Sequence, residues 1–336
     1  MEHLDDDLYL LSGLGAWLPD VLHLTHPKAP QITCDFLGRR KNVHTQKAYG
    51  RTLKAFLLWV ERAEYPTLAA LTATDVSNYV KGLQRSSRSA PQPLSNRTRA
   101  QIIACLRRYF NDLVRGGALP SNPAAAIETF AVKVKVGHYK ALEPSDMARL
   151  LDSIDAKTLQ GLQDRAIIGL MAYSCARVGA VVKMKLGDVY EQAGRLHVCL
   201  NEKRDARHYM PCHPELEDYL RGFLSQTTGA APTDCDPNPA KWLFRRWDKK
   251  RKRLSGRPLT HMICYAMVKR RTRAIGLDGV TNHSFRATGI TTFLRSGGAL
   301  DDARRLANHS SVNTTKLYDH RTQAVSEADV QRISYR

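Results

Sequence analysis

Residues 282–318 read NHSFRATGITTFLRSGGALDDARRLANHSSVNTTKLY, and four side chains in this stretch decide how the whole chain is understood. His283 and Arg286 stand three positions apart, a spacing that places an imidazole and a guanidinium side by side on one face of a helix. His309 and Tyr318 follow, nine positions apart, and the intervening ITTFLRSGGALDDARRLAN reads as helix, glycine break, helix. An H-x-x-R pair alone is a weak signal, so the rest of the chain must supply the context. Upstream, Arg177 ends an apolar helix in AYSCARVGAVVKMKLGDV, where a guanidinium beside a core is costly unless it serves a purpose.

The chain has 336 residues, long enough at roughly 150 residues per domain for two domains. Its net charge of +19 creates a field that attracts a polyanion, and nucleic acid is the common one. The charge is uneven: residues 1–35 sum to −5, residues 36–140 to +13 and residues 141–336 to +11, so both globular parts are basic and only the head is acidic. Two basic modules suit a clamp that grips one duplex from different sides. The seven cysteines form no C-x-x-C pair, which argues for reduced thiols in a cytoplasmic protein rather than a zinc ribbon or a disulfide framework. The apolar start LYLLSGLGAWL follows acidic rather than basic residues and lacks a signal peptide's n-region, and no stretch reaches membrane-spanning length. There is no G-x-x-x-x-G-K-[ST] loop, hence no sign of an ATP engine, and no clustered carboxylate metal site.

After the head, HTQKAYGRTLKAFLLWV has Thr45 as a candidate N-cap and places Tyr49, Leu53, Phe56 and Val60 on one helical face. A second amphipathic helix follows Thr74, and a third runs from about Ser95 to Arg115 before Gly116-Gly117. Arg97, Arg99, Arg107 and Arg108 lie along the third helix as candidate phosphate contacts, each with a solvated surface charge as the alternative. AVKVKVGHYKALE at 131–143 reads as an extended linker. Beyond it, helices are expected from Pro144-Ser145 and from about Gln163, and RLHVCLNEKRDARHYMP at 195–211 alternates like a β-hairpin. The remainder reads as mostly helical, interrupted by turn-rich 227–240 and by Lys249, Lys250, Arg251, Lys252 and Arg253, a run suited to backbone phosphates or simply a solvated face.

Together Arg177, the hairpin, H-x-x-R and the His–Tyr spacing resemble the tyrosine recombinases, the phage integrase family. Arg177 is similar to the arginine of that family's T-G-x-R-x-x-E-type motif, Asp188 to an acid often found eleven positions later, and Lys203 to the hairpin lysine, with Pro211 eight residues on. His283, Arg286, His309 and Tyr318 match the rest in order and spacing. The resemblance spans roughly 40–320. It implies a mainly α protein with a small antiparallel sheet: an acidic extension at 1–35, a helical core-binding, SAM-like module at 36–130, the linker, and a catalytic domain at 144–336. It further implies a tetramer on two double-stranded DNA sites, no cofactor, and a tail after Tyr318 that docks on a neighbouring protomer. Among the departures from the pattern, Ala180 stands where many members carry an acid, and Ala307-Asn308-His309 replaces Leu-Gly-His.

The chemistry follows from the residue types. Tyrosine, with a pKa near ~10, is a poor nucleophile until its proton is taken or its anion is stabilised. Arg177 and Arg286 can hold the charge that develops on a phosphodiester, His309 can donate to the same oxygens, His283 can take the tyrosine proton, and Lys203 can protonate the leaving 5′ oxygen. Singly, each has another reading: His283 and His309 as surface or capping residues, Tyr318 as a core aromatic, and Lys183, Lys185, Arg204 or Arg207 in place of Lys203. A type IB topoisomerase, or a regulator that kept the fold and lost cleavage, would look similar.

Overall fold

The computed structural model describes residues 18–40, 42–85, 92–128, 130, 140–202, 206–228 and 241–319. The chain divides into two compact units, Met1–Val134 and Lys135–Arg336.

In the first unit, α1 (Asp20–Thr25), α2 (Ala29–Gly38), α3 (Val43–Arg62), α4 (Ala73–Gly82) and α5 (Asn96–Arg115) surround an aromatic-rich core, with a short pair β1 (Gln84–Arg85) and β2 (Gln92–Pro93) between α4 and α5. Helix α3 starts earlier than Thr45: the Asn42 side chain accepts from the His44 and Thr45 amides at 2.9 and 3.2 Å, satisfying donors that the first turn leaves open. Likewise α4 is capped by Thr72, whose hydroxyl accepts from the Asp75 N–H while the Asp75 carboxylate accepts from the Thr72 N–H, a capping box, rather than by Thr74. Helix α5 begins after Ser95, as its pattern predicts. Phe56 lies edge-on to Phe110 and Tyr79, and each such side chain, fully removed from water, is worth about 1.5–3 kcal/mol.

The helical module does not begin at residue 36. Val21, Leu22, Ala29, Phe36 and Leu37 are all buried in the same core, so residues 20–35 belong to the bundle rather than to an extension. Net charge hid an apolar face that Pro27 and Pro30 break into two short helices.

In the second unit, α6 (Pro144–Asp152) and α7 (Leu159–Tyr173) are followed by the single turn α8 (Val178–Val181). A three-stranded antiparallel sheet comes next, β3 (Val189–Gln192), β4 (Arg195–Asn201) and β5 (Arg207–Pro211), with Val198 opposite Met210. Then come α9 (Pro214–Thr228), a second hairpin of β6 (Arg245–Asp248) and β7 (Arg253–Pro258), and helices α10 (His261–Ala274), α11 (Asn282–Arg295), α12 (Leu300–Leu306) and α13 (Val312–Lys316). Helix α7 is the hub, buried from Ala166 to Ala172 and packed by α9 and α11. Gly289 permits the α11 contact, since a Cβ there would lie 2.2 Å from the Ala172 carbonyl oxygen.

The β6–β7 hairpin corrects the mostly helical reading on either side of the basic run 249–253. Its strands are charged, and much of what fixes them is a side chain: the Gln163 amide donates to the Arg245 carbonyl at 3.0 Å and accepts from its N–H at 2.9 Å, as a neighbouring strand would. The basic run thus sits at a hairpin tip, where Lys249, Lys250, Arg251, Lys252 and Arg253 are all exposed. No helix among the described residues is long and apolar enough to cross a membrane.

Candidate active site

Two helix ends and one helix face converge in the second unit. Arg286, on α11, is 1% exposed, and its Nη1 and Nη2 donate to the carbonyls of Cys175 and Ala307, the residues that follow α7 and α12. The guanidinium therefore ties together both segments that carry other candidates. Its Nε is buried without a partner among the described residues.

One turn before Arg286, His283 places Nε2 3.1 Å from the Tyr318 hydroxyl. Tyr318 follows α13, with its ring stacked on His309 at 5.9 Å between centroids and packed against the buried cluster of Cys175, Ile290, Leu294, Ala303 and Ala307. His309 is buried, and its Nδ1 is bonded to the Thr315 hydroxyl at 2.9 Å, which leaves Nε2 as the nitrogen for any further partner. Arg177, at the N-cap of α8, is half-buried and its Nη1 lies 2.5 Å from the Glu202 carboxylate.

The backbone at Asn308 explains how the altered Leu-Gly-His segment is accommodated. Asn308 adopts φ +46, its N–H donates to Arg305 O and the His309 N–H to Arg304 O, so α12 ends in a Schellman turn whose left-handed residue is asparagine instead of glycine. Asparagine enters this region more readily than other side chains, and His309 is delivered by the turn all the same. Asn308→Gly should leave stability within about 0.5 kcal/mol, whereas Asn308→Val should cost about 1–2 kcal/mol, read from urea unfolding midpoints. Cys175 also sits at φ +51, where the T-G-x-R pattern has glycine.

The gathered charges act on one another. Burial, then the Arg286 and Arg177 charges, push His283 down to about 4 and His309 down to about 3. Arg286 is itself lowered by burial and by Arg177, and raised by Cys175, Glu202 and Tyr318. Both imidazoles are therefore neutral at pH 7. Between their folded values and the ordinary histidine value near ~6.5, the unfolded chain binds protons that the folded chain does not. Their contribution to stability is thus complete above that value and is lost as pH falls toward 4 and then 3. Urea unfolding at pH 7.5 and 5 should show a drop that His283→Gln with His309→Gln reduces.

Not every candidate arrives at this site. Lys203 and Arg204 lie outside the described residues, as does Tyr335, the other tyrosine near the terminus, while Lys183 is exposed and the Lys185 ammonium lies 3.3 Å over the Trp242 ring. Asp188 accepts from the Lys185 amide and caps a turn of 3₁₀ helix instead of touching Arg177. In the first unit, Arg107 Nε donates to Ala124 O at 2.9 Å and Nη2 to Ile127 O, so it binds the chain after α5. Arg99 donates to Lys81 O and lies over Phe130, whereas Arg97 is exposed, and so is Arg108, which bonds Tyr49. Glu202 and Thr315 were missed by sequence reasoning; only the proximity of Glu202 to Lys203 hinted at it.

The phage integrase family model matches residues 140–324, and the phage integrase N-terminal SAM-like domain matches residues 35–117. The chain belongs to the phage integrase family. As a member, it is similar to the tyrosine recombinase XerD of Lacticaseibacillus casei, 26% identical over 278 residues that cover 82% of this chain and 87% of the relative. It is also similar to XerD of Listeria innocua, 27% identical over 285 residues, 84% of this chain and 89% of the relative. Among solved structures, a lambda integrase dimer bound to a COC′ core site has a TM-score of 0.61 at 17% identity, covering 90% of this chain and 96% of that one. The XerH site-specific recombinase bound to palindromic difH, a post-cleavage complex, has a TM-score of 0.63 at 15% identity, covering 97% and 92%. These structural likenesses establish the fold.

Proposed function

We propose that this chain is a site-specific DNA recombinase that cuts and rejoins strands through a 3′-phosphotyrosyl bond at Tyr318. The observation that carries the reading is the hydrogen bond between the Tyr318 hydroxyl and His283 Nε2, at a site where the charges of Arg286 and Arg177 both act on that imidazole. Tyr318 Oη attacks the phosphorus, its proton passes to His283 Nε2, and the bond to the 5′ oxygen breaks. Arg177, Arg286 and His309 take up the charge on the non-bridging oxygens, and guanidinium forks do so bidentately without titrating. A bound phosphate offsets the two arginines, so His283 becomes a better base once DNA is present. Lys203 supplies the proton to the departing 5′ oxygen. The phosphoester energy stays in the tyrosyl link, so a 5′ hydroxyl from another strand reverses the step without ATP.

Exposed cations at the β6–β7 tip, with Arg97 and Arg108 on α5, are suited to backbone phosphates, whose contacts position a protein without reading sequence. Strand exchange would join two such sites in a tetramer. A two-site DNA tests the reading against its rivals. Exchange of flanks between sites is expected; relaxation of any plasmid regardless of sequence would favour a type IB topoisomerase, and binding without a covalent adduct on a nicked suicide duplex would leave only a regulator.

A further inference from the structure

The integrase pattern places an acid three residues after its first arginine, yet here that position is Ala180, buried in the core. The acid that touches Arg177 comes from elsewhere. Glu202 lies twenty-five residues on, at the end of β4, with its side chain 4% exposed and its Oε2 2.5 Å from Arg177 Nη1. The Glu202 N–H also donates to Ala206 O at 3.0 Å, so the same residue closes the hairpin around residues 203–205. Among the described residues no other hydrogen bond engages the Arg177 guanidinium, so the pair fixes one end of the fork and leaves Nε and Nη2 for a phosphate.

We propose that Glu202 is a positioning residue that takes the place of the acid missing at 180, holding the Arg177 fork for the scissile phosphate and tying it to the β4–β5 hairpin. The proposal rests on reading Arg177 as a phosphate ligand. Two features favour it over a carboxylate that merely competes with DNA. Glu202 is too buried to swing into solvent when a phosphate arrives, and a buried carboxylate without its cation is strongly disfavoured. Its charge also opposes that of Arg177 at Arg286, which Arg177 lowers and Glu202 raises. A fork set loose by an ångström or so misaligns the phosphate rather than weakening its binding.

Single-turnover cleavage of a nicked suicide duplex, with DNA affinity measured in parallel, tests this in the full chain. Glu202→Gln should lower the cleavage rate constant about ten- to a hundredfold, with the amplitude and the DNA affinity nearly unchanged. Glu202→Asp, which keeps the charge, should recover part of the loss. A purely structural role would instead lower the amplitude, the folded fraction, at an unchanged rate constant, and that result overturns the proposal. A rate equal to or above that of the parent chain overturns it as well. Failure of the parent chain itself to form an adduct would sink the reading of the whole site, which the Tyr318→Phe control distinguishes.

Discussion

Tyr318→Phe should abolish the covalent adduct and all strand cleavage while leaving DNA binding within about twofold, because it removes the nucleophile and nothing that touches the duplex backbone elsewhere. Phenylalanine keeps the ring that stacks on His309 and packs against the cluster of Ile290, Leu294 and Ala303. Folding is therefore spared, and the lost hydroxyl removes the bond to His283. Denaturation midpoints and binding isotherms run beside the cleavage assay separate a dead site from a damaged fold. Residual cleavage of even a few per cent would point to a different nucleophile.

Arg286→Lys should be nearly as severe, and in two readouts at once. The guanidinium spans the carbonyls of Cys175 and Ala307, which a point-like ammonium cannot do. Leaving one or both of these buried carbonyls unpaired costs about 1–3 kcal/mol each, so the unfolding midpoint should fall. Cleavage should fall about 10²–10³-fold, the usual loss when one preorganised donor to developing charge is removed. The two losses share a cause. Arg286 holds the end of α7, which leads to Arg177, against the end of α12, which leads to His309, so its removal loosens the site as well as depleting its charge. A variant that unfolds normally yet cleaves slowly would confine Arg286 to charge stabilisation alone.

What could be read before folding was what local periodicity encodes. The i, i+3 spacing of His283 and Arg286 on α11, the α5 boundaries and the β4–β5 alternation all depend on neighbours in sequence, and the structure reproduces them. What escaped depends on contacts across the fold. Glu202 meets Arg177 through the turn after β4, and Gln163 stands in for a strand beside β6, whose run RRWDKKRKR has no alternating apolar face to betray it. Arg107 looked like a phosphate ligand because its helix is basic, while its real partners are carbonyls some seventeen to twenty residues later. The turn at Asn308 escaped for a different reason, since a left-handed φ at asparagine leaves no periodic trace. Residues 20–35 were misjudged because net charge, unlike burial, takes no account of which face a residue occupies.

One measurement bears on the central claim most directly: trap the protein on a nicked duplex, digest both polymers, and map the nucleotide adduct by mass spectrometry. A nucleotide joined through its 3′ phosphate to the peptide containing Tyr318, with a free 5′ hydroxyl on the released strand, is the result predicted. Attachment at any other residue, Tyr335 included, or through a 5′ phosphate, would contradict it.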